Sequence, residues 1–416
     1  MLCRFENRLS GQALELAEFS HRITASSAAD LGSAFAAIEA AQAAGCWTAL
    51  LLDYELGEWL EPAFLTAAAK PAVFAAHAAP KPGAGQEAAI PARPRLTALV
   101  FKQARHTAVW PAPARTQAIG LDTRLLIDTQ RYLDDIHALR ACIGRGELYQ
   151  TNYTFPIAVE TQAPPRDLYR CIAAAHPSAH AAYIEDGARS VLSFSPELFV
   201  ARQGTTLTVR PMKGTAPRHS DPEQDRTSGQ ALLHSEKNRA ENLMIVDLLR
   251  NDLGRLATPG SVRVEALFSL EQYPSVWTLT STITAQAPDT GLEALLRALF
   301  PCGSITGAPK IAAMRKIRQL EDHPRGIYCG SIGWLSPDGD CSLNVAIRTI
   351  EMHDRHHGIF GVGGGIVYDS DPELEWQECL WKARILDTGN HRGQSLAEPH
   401  ATLEPSSPGG GTADPS

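Results

Sequence analysis

Short apolar runs of strand type alternate with capped, apolar-striped helices along this chain, and that alternation restricts it to a mixed α/β (α+β) fold. The strand candidates are 47–52, 148–159, 181–184, 198–202 and 207–209. Residues 28–44 form an alanine-rich helix candidate closed by Gly45. Residues 128–144 carry Tyr132, Leu133, Ile136, Leu139 and Ile143 at helical spacing, with a glycine at the end. Helices are also predicted over 235–253, 292–300 and onward from Asp371. A chain of 416 residues can bury a large core, as two or three domains or one interlocked body. The patterning suggests an N-terminal subdomain of the same fold over 1–118 and a catalytic domain over 119–388. The Pro-, Gly- and Ala-rich stretch 80–94 reads as an exposed loop, and the polar segment 389–416 as a disordered tail.

Composition removes several classes of partner. With 44% hydrophobic and 20% charged residues and a net charge of −8, there is no basic excess to hold nucleic acid or an anionic membrane. Arg4, Glu6 and Arg8 interrupt the start, where a signal peptide needs an apolar stretch, and no apolar run is long enough to span a bilayer. A cytoplasmic location is therefore expected. The eight cysteines are scattered without a C-x-x-C pair, as reduced thiols would be.

Four kinds of segment carry residues that chemistry could use. In helix 235–253, Asn238 and Glu241 share a stripe with Ile245 one turn on, which puts Glu241 at the edge of a mostly buried helix or on a solvated face. After Asp371 and Pro372, which suit a cap and a first turn, helical spacing aligns Glu375, Glu378 and Lys382. That stripe fits an exposed salt-bridged face. It equally fits the ligands of a hard cation, because Mg2+ takes one or two carboxylates and completes its octahedron with waters and substrate oxygens. The glycine-rich stretches 301–310 and 361–368 match neither a P-loop nor a dinucleotide fingerprint; they are turns, or backbone nests for a carboxylate. Finally, Lys213 lies in Arg210-Pro-Met-Lys-Gly-Thr-Ala-Pro-Arg218 and becomes a nucleophile only where its surroundings favour the free amine.

In chain order, Gly146-Glu-Leu-Tyr-Gln150, Ser195-Pro-Glu197, Pro211-Met-Lys-Gly-Thr215, Ala240-Glu-Asn-Leu-Met-Ile-Val-Asp247, Gly303-Ser-Ile-Thr-Gly-Ala-Pro-Lys310 and Gly363-Gly-Gly-Ile-Val-Tyr-Asp-Ser370 are similar to the motifs of the chorismate-utilising enzymes. That family includes the anthranilate, aminodeoxychorismate, isochorismate and salicylate synthases. The resemblance covers 145–386 and, more weakly, Asp53-Tyr-Glu-Leu-Gly57. It implies an anthranilate-synthase-like core of two antiparallel sheets packed as a β-sandwich, flanked by helices, with the site in the cleft. It implies Mg2+ on Glu241 and Glu378 with Glu375 nearby. Arg348, Tyr368, Lys382 and the amides of Gly364 and Gly365 would hold the substrate carboxylates, and Gly214, Thr215, Gln150 and Thr306 would complete the pocket.

Two positions separate the reactions of this family. Gln150 stands where the water-using members carry a basic lysine, and Lys213 stands where anthranilate synthases typically have alanine. The resemblance thus implies the branch that converts chorismate and ammonia to 4-amino-4-deoxychorismate for 4-aminobenzoate and folate synthesis, a transferase of the transaminase class. Lys213 would add at ring C2 and Glu197 would protonate the departing C4 hydroxyl. No glutaminase region is recognisable, so the ammonia is expected from a separate glutaminase subunit. The alternatives are an anthranilate synthase component I, against which Lys213 argues, and a chorismate binder without turnover, which would need neither Glu197 nor Lys213. Thr278 replaces a histidine common among relatives and Asn238 an acid, while the absence of a Leu-Leu-Glu-Ser segment predicts no tryptophan feedback.

Overall fold

The computed structural model describes residues 1–63, 93–113, 119–187, 189–273 and 276–388. Positions 80–92 of the expected loop, the division at 118 and the expected tail 389–416 lie outside the described residues.

The first elements are β1 (Leu2–Asn7), β2 (Gln12–Ala25), α1 (Leu31–Ala43), β3 (Trp47–Leu52), α2 (Leu56–Leu60) and β4 (Leu96–Ala108). Then come β5 (Leu121–Leu125), α3 (Thr129–Gly144), β6 (Gln150–Thr161), α4 (Pro165–Ala175), β7 (His180–Glu185) and β8 (Ser190–Ser195). They are followed by β9 (Leu198–Gln203), β10 (Thr206–Arg210), β11 (Met212–Pro217), α5 (Pro222–His234), α6 (Glu236–Gly254), β12 (Arg263–Gln272) and β13 (Val276–Gln286). The last are α7 (Leu292–Leu299), β14 (Gly307–Ala308), α8 (Lys310–Leu320), β15 (Ser331–Leu335), β16 (Cys341–Val345), β17 (Thr349–Met352), β18 (His357–Ile366) and α9 (Pro372–Ala383).

The helix starts follow from their caps. Asp128 accepts from the amides of Gln130 and Arg131, Ser235 from that of Asn238, and Asp371 from that of Leu374, so each satisfies amides that the first turn would leave unpaired.

Every strand pairing among the described residues is antiparallel. From one end, β11 and β12 flank β13, and the ladder continues through β10, β9, β16, β15, β3, β4 and β2. It then passes from β2 to β1 and on through β7, β8, β17, β18 and β6 to β5. The period of two decides the layers. Leu50 and Leu52 of β3 pack with α1, α6 and α7, whereas Ala49 and Leu51 face a second core with Phe5, Phe101 and Ile184. In β7, Ala182 and Ile184 join that second core, while Ala181 and Tyr183 face α3, α4 and α9 through a third. Two sheet halves therefore pack on each other, with helices covering both outer faces, which is the helix-flanked antiparallel sandwich expected from the resemblance. Each fully buried Leu, Ile or Phe in these layers contributes about 1.5–3 kcal/mol. None of the eight cysteines forms a disulfide.

The chain crosses between the two halves twice at one place. The link from β8 to β9 carries Pro196 and Glu197, and the link from β16 to β17 carries Ile347 and Arg348. The two crossings are tied together: Val345 N donates to the Glu197 carbonyl at 3.1 Å, Phe194 N to the Arg348 carbonyl at 3.0 Å, and Ser195 Oγ to the Val345 carbonyl at 2.6 Å. Two residues that would be unremarkable in a loop are thereby fixed on the seam.

Candidate active site

A cavity of about 380 Å³ opens at this seam. The first sheet half supplies Met212, Lys213, Gly214 and Thr215 of β11, and beside it α6 supplies Lys237, Asn238 and Glu241. The second half supplies residues 360–363 and Gly365 of β18, with Glu375, Glu378 and Lys382 of α9 above them. Glu197 and Arg348 come from the two crossings. A cleft of this size suits a small ligand, and its charged walls suit a polar one.

Lys213 reaches the cavity because β11 is irregular there. Its pairing with β13 slips between Lys213 and Thr215, and Gly214 adopts φ +81°, the left-handed region that favours glycine. A Cβ on Gly214 would also stand 2.8 Å from Asn238 Oδ1. The Thr278 hydroxyl donates to the Gly214 carbonyl at 3.0 Å, so the residue found at the expected histidine position braces the bulge. Across the cavity, a Cβ on Gly365 would collide with Gln150 Nε2 and come 3.1 Å from Lys213 Nζ. Glycine at 365 thus leaves room for the ends of both the Gln150 and Lys213 side chains.

Glu197 is 4% exposed, and burial pushes its carboxyl up to about 7 against the opposing pull of Ser304, Lys213 and the Met212 backbone. Its Oε1 is buried and has no hydrogen-bond partner among the described residues. Such a group holds a proton near neutrality with no protein acceptor for it among those residues. Arg348, held at φ +50°, has no ion pair among the described residues, and burial pulls its pKa below the ordinary arginine value. A desolvated guanidinium of this kind is completed by a carboxylate.

The acids on α9 differ from one another. Lys382 Nζ donates to Glu378 Oε1 at 2.8 Å and to the Gly363 carbonyl at 2.8 Å. The Lys382 ammonium lowers Glu378, and although burial opposes the charge on Lys382, Glu378 holds it above the ordinary lysine value. Burial raises Glu375, whose Oε1 accepts from Ser370 Oγ at 2.7 Å. The stripe is at once a salt-bridged helix face and a wall of the cavity. Among the described residues no three His, Cys, Asp or Glu side chains stand close enough to chelate an ion by themselves. The all-oxygen set of Glu241, Glu378 and Glu375 nevertheless fits Mg2+, which needs only one or two carboxylates when substrate and water complete its shell.

Four of the expected site residues do not line the cavity. Tyr368 is 59% exposed, with its ring against Gly144. Thr306 is fully buried, and its hydroxyl donates to the carbonyl of Cys302 at 3.0 Å, bracing the turn that carries Ser304. Gly364 lies beneath α9, where a Cβ would stand 3.1 Å from Glu375 Oε2. Gln150 lies behind Gly365, buried, with Oε1 unpartnered. Sequence reasoning missed Tyr328, Ser304, Asn152 and Lys237, all of which line the cavity. Ser304 lies inside a recognised motif and Lys237 just before one, and both could have been found there. Tyr328 had no local signal: its ring lies on Gly361 so closely that a Cβ there would overlap it.

The profile of the chorismate binding enzymes matches residues 18–387. The chain is 43% identical over 266 residues to the aminodeoxychorismate synthase component 1 of Klebsiella aerogenes, a stretch covering 63% of this chain and 58% of that one. It is 40% identical over 270 residues to the anthranilate synthase component 1 of Streptomyces coelicolor, covering 64% and 52% respectively. The chain thus spans somewhat over half the length of these relatives. The crystal structure of anthranilate synthase component I from Streptococcus pneumoniae superposes with a TM-score of 0.67 at 26% identity, covering 82% of this chain and 80% of that one.

Proposed function

Because this chain belongs to the chorismate binding enzyme family, we propose that it converts chorismate and ammonia to 4-amino-4-deoxychorismate, in the manner of the aminodeoxychorismate synthase components it resembles. The observation that carries this reading is that Lys213, placed by the Gly214 bulge, and a buried Glu197 with a pKa of about 7 share one cavity. A binder that does not turn chorismate over has no use for either group.

Arg348, Tyr328 and Lys382 are the donors available to the two substrate carboxylates. Glu241 and Glu378, with Glu375 beside them, would hold Mg2+, which when bound withdraws electrons through the ring carboxylate and favours attack at C2. The Lys213 amine forms a bond to C2 while the C4–O bond breaks, and protonated Glu197 delivers its proton to the departing hydroxyl, which leaves as water. Ammonia then bonds to C4, the C2–N bond to Lys213 breaks, and the Glu197 carboxylate takes up the surplus proton of the new ammonium. Protons balance over the cycle, and a group titrating near 7 can serve both steps. In this reading the ammonia comes from a separate glutaminase subunit, the setting is the cytoplasm, and the product feeds 4-aminobenzoate and folate synthesis.

The test is chromatography of the products formed from chorismate, Mg2+ and ammonium by the wild type and Lys213→Ala, with aminodeoxychorismate lyase added to a parallel sample. A product that the lyase converts to 4-aminobenzoate, lost with Lys213, supports the proposal. Anthranilate or isochorismate as the product would overturn it.

A further inference from the structure

The segment Asp53-Tyr-Glu-Leu-Gly57, which leaves β3 and runs into α2, contributes no residue to the cavity lining, yet it is bound to one of the cavity walls. Glu55 Oε1 accepts from the amide of Arg325 at 2.7 Å and Oε2 from that of Gly326 at 3.2 Å, while Tyr54 N donates to the Gly326 carbonyl at 2.7 Å. The Tyr54 ring also faces the Arg325 guanidinium, which lies 4.4 Å from its centroid. That buried guanidinium forms a bidentate pair with Glu321, at 2.9 and 2.7 Å, and donates to the carbonyls of Ile305 at 3.0 Å and Asn152 at 2.7 Å. Asn152 and Ile305 line the cavity, as does Tyr328 three residues further along the chain.

The stretch that carries Tyr328 is pinned at both ends. Glu55 and Tyr54 hold its start. At its end, Cys329 N donates to the Ala346 carbonyl at 2.9 Å and Ala346 N to the Gly330 carbonyl at 3.0 Å. Cys329 sits at φ +60°, a left-handed conformation that a non-glycine residue keeps only where its surroundings impose it. Between these anchors the Tyr328 ring is seated on Gly361.

We propose that Glu55 and Arg325 are positioning residues for Tyr328: Glu55 fixes the backbone of 325–326, Arg325 locks that backbone to the walls at Asn152 and Ile305, and Tyr328 is thereby set as a donor to the substrate. The inference deepens the proposed function and rests on it for chorismate as the ligand, though not for the clamp itself. Gly57 belongs to the same support, because a Cβ there would stand 2.7 Å from Pro301 Cδ, at the entrance to the turn that bears Ile305.

The experiment joins a double-variant cycle to fluorine NMR. With chorismate, Mg2+ and ammonium, Glu55→Ala raises KM for chorismate roughly tenfold and leaves kcat within about twofold, the signature of a lost binding contact. Tyr328→Phe does the same. The double variant lies within about twofold of Tyr328→Phe alone, whereas independent effects would multiply to about a hundredfold. Glu55→Gln keeps one acceptor oxygen for the two amides, recovers part of the loss, and carries the same cycle if the alanine variant does not fold. The second readout needs no reaction: the full chain is labelled with 3-fluorotyrosine at its nine tyrosines, and the Tyr328 resonance is assigned against Tyr328→Phe. Without substrate, Glu55→Ala and Arg325→Lys displace that resonance, since a lysine cannot span Glu321, Ile305 and Asn152 together. A Tyr328 resonance unmoved in the Glu55 variants, or KM effects that multiply in the cycle, overturns the proposal. A displaced resonance with a product other than 4-amino-4-deoxychorismate leaves the clamp standing and removes the proposed reaction.

Discussion

Replacing Glu197 by glutamine should make this protein more stable in alkaline solution while destroying its activity. The ordinary glutamate value is 4.5 and burial raises Glu197 to about 7. Between those two pH values the unfolded chain releases its proton while the folded chain keeps it. Unfolding therefore sheds a proton, and the folded state loses stability as pH rises through this window. The full difference is worth about 3 kcal/mol, reached above pH 7. The 4% exposure of the side chain leaves little room for solvent to screen it. The glutamine variant has no charge to bury, so its stability relative to wild type should improve by about 2–3 kcal/mol between pH 5 and pH 8. Any fixed cost of packing an amide at this position is the same at both pH values and cancels in the comparison. Urea unfolding of both proteins at pH 5, 6, 7 and 8, followed by far-ultraviolet circular dichroism, measures it. Parallel stability curves for the two proteins would show that Glu197 is ionised throughout, and the general-acid role would fall with that result.

Other perturbations separate binding from chemistry. Arg348→Ala removes a desolvated cation without an ion pair, so KM for chorismate should rise about 10–100-fold while the urea midpoint stays level or increases. A lowered midpoint would mean that Arg348 is a structural residue. Gly361→Ala drives a methyl into the Tyr328 ring and should cost about 1–3 kcal/mol in the urea assay together with a raised KM. Chelation with EDTA should abolish turnover and added Mg2+ restore it, and Glu241→Gln should raise the Mg2+ concentration for half-maximal rate by on the order of tenfold. Full activity in EDTA would remove the metal from the mechanism.

Local structure was readable where a short-range rule decides it. The stripe of Tyr132, Ile136 and Leu139 with a glycine at its end placed α3 to within a residue, and the pattern over 235–253 did the same for α6. Pairing was not readable, because alternation identifies the faces of a strand and says nothing about its neighbour. β3 pairs with β15, β9 with β16 and β6 with β18, partners separated by well over a hundred residues. β12 and β13 were missed as strands: β13 is rich in threonine, and its pairing with β12 slips in two places.

The candidate site shows the same division more sharply. Helical spacing correctly put Glu375, Glu378 and Lys382 on one face, yet it could not distinguish a solvated salt bridge from a cavity wall, and the structure makes the face both. Tyr368 was expected at the site because the resemblance runs through the glycine-rich motif that contains it, whereas position in the cavity is set by strand order. The ring that lines the cavity is the one seated on Gly361, a contact between β18 and the segment before β15. Glu197 and Arg348 are the instructive pair. Neither lies on an amphipathic element, and both derive their chemistry from crossings where the chain changes sheet halves and their neighbours' backbones hydrogen-bond each other. Burial at that seam raises the carboxyl and lowers the guanidinium, which has no ion pair among the described residues. Topology, through desolvation, therefore supplies the reactivity that the residue types alone leave undetermined.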